Sequence, residues 1–325
     1  MGDKTMRFRA LGGVAVAMML AAALPTSVSA LDQRFTDADG DMVADTPKDP
    51  KQLIDPPVLI FSYTPVEDPA VYAKVWDGFI KHMEKVTGKR VQFFPVQSNA
   101  AQLEAMRAGR LHVAGFNTGS NPLAVNCAGF VPFALMSSKD GQYGYEMEII
   151  TYPGSGVAKM EDIKGRKMAF TSQTSNSGYR APSALLKQNY NLEAGKDYEP
   201  VFSGKHDNSV IGVANKDYPA AAIANEVMQR IIERGVVKKD QIVTIYKSKT
   251  FPTTGYGMVY NLKPELAAKV KEAFFTFPWE GSELAKEFGK TTPPMQKFLP
   301  INYKDHWQAV REVDQAMGVK YDCKG

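Results

Sequence analysis

Apolar and polar positions change rhythm repeatedly along this chain, and each change marks an element. "PVLIFSYTP", from Pro57, is a short apolar run closed by proline at both ends, the pattern of a buried strand. Tyr72, Val75, Trp76, Phe79, Ile80, Met83 and Val86 then recur at helical spacing, and Gly88 follows the last turn. "RVQFFPV" predicts a strand, "NAAQLEAMRAG" a helix closed by Gly109, and "LHVAGF" a further strand. The alternation continues through strands "YEMEIITYP", "KMAFTS", "AAAIA", "IVTIYKS" and "GYGMVYNL" and helices "APSALLKQNY", "NEVMQRIIERG" and "PELAAKVKEAFFTF". Strands alternating with helices over short loops predict an α/β fold with a largely parallel sheet covered by helices. Turn-rich breaks at 151–156 ("TYPGSG") and 247–252 ("KSKTFP") read as two crossings between lobes. They divide the chain into one lobe of residues 57–152 and 250–325 and a second of residues 153–249.

The first 56 residues do not share this rhythm. Lys4, Arg7 and Arg9 precede an apolar run from Leu11 to Leu24, and Val28-Ser29-Ala30 supplies small residues before a cut after Ala30. That is the pattern of a secretory signal peptide over residues 1–30. Pro25 arrives before the roughly 20 apolar residues a membrane span needs. Residues 31–56 are polar and turn-rich, without periodicity, and predict a leader segment with no packed element. Within it Asp37, Asp39, Asp41 and Asp45 are spaced as oxygen ligands of Ca²⁺ are, similar to the aspartate-rich loops of thrombospondin type 3 repeats. Met42 and Lys48 stand where an EF-hand wants glycine and glutamate, and only one copy is present, so the stretch reads first as a solvated acidic leader.

Composition narrows the partners. Removing thirty residues from 325 leaves 295, and the net charge falls from +4 to +2, because the removed segment holds three basic residues against Asp3. A near-neutral chain points away from nucleic acid or an anionic membrane as partner. His82, His112, His206 and His306 are scattered and no metal spacing occurs, so no cofactor is expected beyond the calcium question. Cys127 and Cys323 either pair, as export permits, or are an accidental couple; both readings stand.

In open α/β sheets ligands bind beyond the carboxyl ends of strands, so the post-strand loops carry the functional signal. "SYTPVEDP", "PVQSNA", "FNTGSNP", "TSQTSNSG", "FSGKHDNS" and "KTFPTTGYG" are all rich in hydroxyl, amide and glycine. In "TSQTSNSG", Thr174, Ser175, Asn176 and Ser177 precede a helix, with Gly178 permitting close approach. Helix N-terminal N–H groups and these side chains together form a site for an oxyanion held by neutral dipoles. A simple N-cap needs one such residue, not a row of them. His206 adds a donor that titrates near neutral pH, and Asp207 beside it could accept from a P–OH of the ligand or orient His206 through its Nδ1, the second being preferred. Tyr63, Thr64 and Thr118 read as wall or contact residues, or equally as turn groups.

"FSYTPVEDPAVY", "VQSNAAQLEAMRAGRLHVAGF", "FTSQTSNSGYRAPSALL", "FSGKHDNSV" and "FPTTGYG", in this order, resemble the periplasmic phosphate/phosphite/phosphonate-binding components of ABC transporters from about Pro57 to about Gly318. The resemblance implies a two-lobed periplasmic binding protein of the type with two crossover strands (type II), with ligand in the interlobe cleft. It places the family's anion loop on Ser175, Asn176 and Ser177, its histidine on His206 followed by Asp207, and its aromatic hydroxyl on Tyr145. Asn99 stands where aminoalkylphosphonate binders carry tyrosine. Of the two acidic residues that hold an aminoalkyl group, one falls on Glu226, and the other position, near Thr254, lacks its carboxylate. The expected ligand is therefore a small phosphorus oxyanion, with phosphite or methylphosphonate favoured over phosphate. The expected partner is a membrane permease, reached by a monomer in the periplasm. A phosphoryl-compound hydrolase would need a nucleophile with its base or a two-metal carboxylate cluster, and the sequence offers neither. A binder of a non-phosphorus solute keeps the fold. For an amino acid it would want an arginine that the six loops lack.

Overall fold

The computed structural model describes residues 31–321 and Cys323. The signal peptide assigned to residues 1–30 lies outside the described residues. Eleven strands form two sheets among the described residues. The first takes β1 (Val58–Tyr63), β2 (Arg90–Phe93), β3 (Val113–Phe116), β4 (Phe130–Ser137), β10 (Gly255–Val259) and β11 (Lys297–Pro300), in the order β11-β4-β10-β3-β1-β2. The second takes β5 (Tyr145–Thr151), β6 (Lys167–Phe170), β7 (Glu199–Phe202), β8 (Ala220–Ala224) and β9 (Val243–Phe251), in the order β7-β6-β8-β5-β9. Along β1 the side chains alternate. Leu59, Phe61 and Tyr63 enter one core with Trp76, Phe79 and Tyr256, while Ile60 packs on the opposite cluster around Phe116, Phe130 and Trp307. "AAAIA" is buried throughout, as a central strand covered on both faces requires.

The sheets are mixed rather than largely parallel. β1 runs parallel to β2 and β3, but β10 is antiparallel to β3 and β4, and β5 is antiparallel to β8 and β9. A strand arriving from the other lobe enters its new sheet from the opposite end, and β5 and β10 are those strands. This also corrects the first crossing. β5 pairs with β8 in the second sheet, so the chain crosses at 138–144, before Tyr145, and "TYPGSG" is a turn inside the second lobe. The return is at 252–254.

The predicted helix of Tyr72–Val86 is two helices, α1 (Pro69–Val75) and α2 (Asp77–Thr87), meeting at the buried Trp76. Asp68 caps α1 through the Ala70 N–H. Further helices are α3 (Asn99–Arg107), α4 (Asn121–Ala128), α5 (Ala181–Tyr190), α6 (His206–Ala214), α7 (Asn225–Glu233) and α8 (Pro264–Phe275). Three more close the chain, α9 (Glu283–Phe288), α10 (Tyr303–His306) and α11 (Gln308–Ala316). None of the described helices is long and apolar enough to cross a membrane.

The leader is packed, contrary to its lack of periodicity. Val43 and Ala44 are buried, Val43 in the cluster of Phe116 and Trp307, and the Ile54 N–H donates to Asn261 O at 2.8 Å. Its acidic loop is tied by backbone N–H groups: Asp37 accepts from Asp41 and Met42, and Asp45 from Ala38. Oxygens of Asp37, Asp39 and Asp41 lie within 4.8 Å of one another.

Cys127 and Cys323 form a disulfide with a Cα–Cα distance of 5.1 Å across 196 residues. It fastens the tail after α11 to α4. Cys323→Ser is expected to lower the unfolding free energy by about 2–4 kcal/mol, by freeing a long loop in the unfolded chain. An unchanged urea midpoint would count against that role.

Candidate functional site

β6 ends at Phe170, and the hydroxyl-rich loop after it runs into a helix whose first turn, Asn176–Arg180, is wider than an α-turn and continues as α5. Ser175 is the N-cap, its Oγ accepting the Gly178 N–H at 3.0 Å. Gly178 is not there for the ligand. A Cβ at that position would stand 2.0 Å from Thr171 Oγ1, so the glycine lets the helix start fold back onto the end of β6. The N–H groups at the head of the helix have no intrahelical partner and carry the positive end of its dipole.

Ser175, Asn176, Ser177, Tyr145 and His206 from the second lobe, with Thr118 from the first, surround a small cavity of about 20 Å³. Glu226 and Thr254 line both this cavity and a second one, also of about 20 Å³, walled by Tyr63, Arg230, Thr253, Met136 and Phe288. Both chambers are small. Larger grooves of about 530 and 400 Å³ lie near Lys247 and Thr292 and do not reach Ser175 or His206.

His206 Nδ1 accepts the Ala224 N–H at 3.1 Å, which puts the ring proton on Nε2, 3.4 Å from Ser175 Oγ. Burial pushes its pKa down to about 4, so the ring is a neutral donor at neutral pH instead of titrating there. Asp207 does not orient it. Its carboxylate accepts N–H groups of Asn208 and, across the lobes, Asp68. The Tyr145 hydroxyl accepts from Asn176 Nδ2 at 3.1 Å, and burial raises its pKa, so it remains a phenol with a proton to give. Asn176 Oδ1 is buried without a partner, and so is Thr253 Oγ1 in the second chamber.

Asn99 and Thr174 are absent from the cavity wall. Asn99 donates to Thr174 Oγ1 at 3.0 Å and Ser172 Oγ at 3.3 Å, and accepts from the Thr64 hydroxyl, so it straps the lobes together. Two buried ion pairs do the same. Arg180, just past the hydroxyl loop, grips Asp314 of α11 at 2.8 Å and the carbonyl of Gly119 at 3.0 Å, and Tyr321 donates to Asp314. Arg230 of α7 holds Glu67, in the loop after β1, at 3.1 Å; Glu67 also takes Arg234 and the Tyr72 hydroxyl. Sequence reading missed Glu67, Arg180, Arg230, Thr253 and Asp314. Only Arg180 carried a local signal, its place in "SNSGYRAP". At Gly119 the backbone of the first lobe lies so near the hydroxyl loop of the second that a Cβ would stand 2.2 Å from Thr174 O and 2.6 Å from Asn176 N.

Two outcomes follow from this geometry. Gly119→Ala is expected to block closure and weaken ligand binding at least about tenfold, a cost of some 1.4 kcal/mol, while melting of the ligand-free protein stays unchanged; unaltered affinity would refute the contact. A histidine whose folded pKa is depressed takes up its proton only on unfolding, so stability is present above the unfolded pKa and falls as pH drops. His206 is expected to cost up to about 3 kcal/mol as pH falls from about 6.5 towards 4. Urea unfolding of the wild type and His206→Gln at pH 7 and 5 checks this, and equal pH dependence in both would remove His206 as its source.

Comparison with known proteins gives these residues a setting. Residues 61–306 match the family described as ABC transporter, phosphonate, periplasmic substrate-binding protein. The chain is 28% identical over 229 residues to the phosphate-import protein PhnD of Mycolicibacterium smegmatis, a match covering 67% of this chain and 71% of that protein. To the phosphonates-binding periplasmic protein of Escherichia coli it is 24% identical over 206 residues, 62% of this chain and 61% of that one. Two solved structures share the fold. One is a binding protein component of an ABC phosphonate transporter from Pseudomonas aeruginosa (TM-score 0.71, 24% identity, 80% of this chain and 86% of that one). The other is PhnD1 from Prochlorococcus marinus in complex with methylphosphonate (TM-score 0.71, 16% identity, 82% of this chain and all of that one). With two α/β lobes and a donor-lined cavity between them, the chain belongs to the periplasmic substrate-binding proteins of phosphonate ABC transporters.

Proposed function

We propose that the protein captures a small phosphorus oxyanion, phosphite or methylphosphonate ahead of phosphate, and delivers it as a monomer to the membrane permease of an ABC importer. The observation that carries this reading is the convergence of neutral donors on one enclosed cavity: Ser175, Ser177 and Asn176, the His206 Nε2–H and the Tyr145 hydroxyl. A buried anion needs a donor at each oxygen, and here they come from fixed side chains and a helix start. Relatives named for phosphate import and phosphonate binding, and a structural neighbour holding methylphosphonate, support phosphorus as the central atom.

The size of the site supports a short ligand. Beyond Glu226 the second chamber is stopped by Met136, Phe288 and Met295, and Thr254 supplies a hydroxyl where an ammonium would want a second carboxylate. Closure buries the ligand between lobes, and the closed form is the one presented to the permease.

Calorimetric titration with phosphite, methylphosphonate, phosphate, 2-aminoethylphosphonate and sulfate tests the reading. Phosphite or methylphosphonate is expected to bind tightest, and Ser175→Ala and His206→Ala are each expected to lose about 10- to 100-fold in affinity, the worth of a hydrogen bond to a charged group. Tightest binding of 2-aminoethylphosphonate would defeat the argument from size, and no binding of any of the five would defeat the anion site itself.

A further inference from the structure

Behind the anion cavity, charges are out of balance. Arg230 and Arg234 face three carboxylates, those of Glu67, Glu226 and Glu287. Glu67 takes Arg230 at 3.1 and 3.3 Å and also bonds Arg234, and Glu287 sits 3.1 Å from Arg234. Glu226 is left with one contact to Arg230 at 3.5 Å. Its side chain lines both chambers. The other titratable groups facing it are neutral: Tyr63 of β1, Tyr145 of β5, Tyr256 of β10 and His206 of α6. Burial pushes the Glu226 carboxyl up against the pull of Arg230.

An oxyanion seated among Ser175, Ser177 and His206 therefore meets a carboxylate across a cavity of about 20 Å³. Two anionic oxygens at such range repel, whereas a proton between them makes a short charge-assisted hydrogen bond. We propose that Glu226 is the specificity residue through which the site accepts oxyanions together with one proton, shared between its carboxylate and a P–OH of the ligand. This rests on the phosphorus-oxyanion reading above and adds a rule to it. Hydrogen phosphate brings its own proton throughout neutral and alkaline pH. Phosphite and methylphosphonate lose their last ionisable proton near neutral pH, and above that point the complex must take one up from water. Sulfate has none to share and is disfavoured. No bond to phosphorus changes; the proton moves only along the O–H···O line between ligand and Glu226.

The test is calorimetric titration of the exported chain from pH 6 to pH 9 with phosphite, methylphosphonate, phosphate and sulfate, repeated in buffers of different ionisation heat to count protons. Above its last ionisation, phosphite is expected to lose about tenfold in affinity per pH unit with uptake of one proton, while phosphate stays level. Sulfate is expected to bind at least about a hundredfold more weakly than phosphate, the cost of like charges in contact. In Glu226→Gln the amide donates directly, so the phosphite slope flattens and sulfate gains at least about tenfold. Equal slopes for phosphite and phosphate in the wild type would overturn the proposal without need of any variant. So would an unchanged slope and unchanged sulfate discrimination in Glu226→Gln. If 2-aminoethylphosphonate, titrated alongside these four, binds in preference to them and loses that preference in Glu226→Gln, Glu226 is an ammonium partner and the proposal is overturned as well. If phosphorus oxyanions bind and these signatures fail, only this inference falls; if none binds, the functional reading falls first and takes it along.

Discussion

Taking a small anion out of water is affordable only if every one of its oxygens finds a donor that is already in place, and the cleft is organised by that demand. Its donors are neutral. The Ala224 N–H occupies His206 Nδ1 and so aims the remaining ring proton from Nε2 towards the cavity. The burial that encloses the site is also what keeps His206 uncharged and Tyr145 a phenol. A cationic histidine would hold any anion strongly and release it slowly. Fixed dipoles instead reward an ion whose oxygens match their directions, which suits a protein that must hand its ligand on.

Because Thr118 and Thr254 face the second lobe's hydroxyl loop, the donor set is complete only when the lobes are together. The contacts that bring them together are charged, yet placed outside the anion cavity. Arg180 sits five positions after Ser175, close enough to have entered the site, but Asp314 and the Gly119 carbonyl hold it on the far side of the helix start. Buried ion pairs gain little net stability, since desolvation of both partners offsets their attraction. Their geometry is demanding, however, and that fixes one docking of the lobes. Asp314 is in turn held by Tyr321, close to Cys323 of the Cys127–Cys323 bridge, so the bridged segment bears on this interlobe contact.

Much of this was legible from residue order, and the failures have physical causes. Short apolar runs ended by turn residues marked the strands, and hydroxyl-rich loops after them line the interlobe cavity, because both follow from local pattern and from the rule that ligands sit at strand ends. The same polar residues also make lobe-to-lobe straps, and Asn99 and Thr174, read from sequence as ligand contacts, bond each other across the lobes. Asp207 misled for another reason. Neighbours in sequence point about 100° apart on a helix, so a carboxylate beside His206 at the start of α6 faces elsewhere. "TYPGSG" and the true crossing at 138–144 have similar turn composition, and only strand pairing separates them. Glu67 and Arg230 are 163 positions apart, and no local signal connects them.

Glu226 shows why the missing carboxylate near Thr254 does not merely subtract from the site. With a second acid in the chamber, two negative charges would await a cation, and a ligand chain ending in an ammonium would satisfy both. With Thr254 in that place, one carboxylate remains, partly answered by Arg230, and the surplus is a single charge. On the proposal above a proton is the smallest cation that meets it, and it requires no extra length of ligand. The chamber's dimensions agree: Met136, Phe288 and Arg230 bound it closely. Charge and volume at this end of the cleft thus both support the compact oxyanion proposed above, by two independent routes.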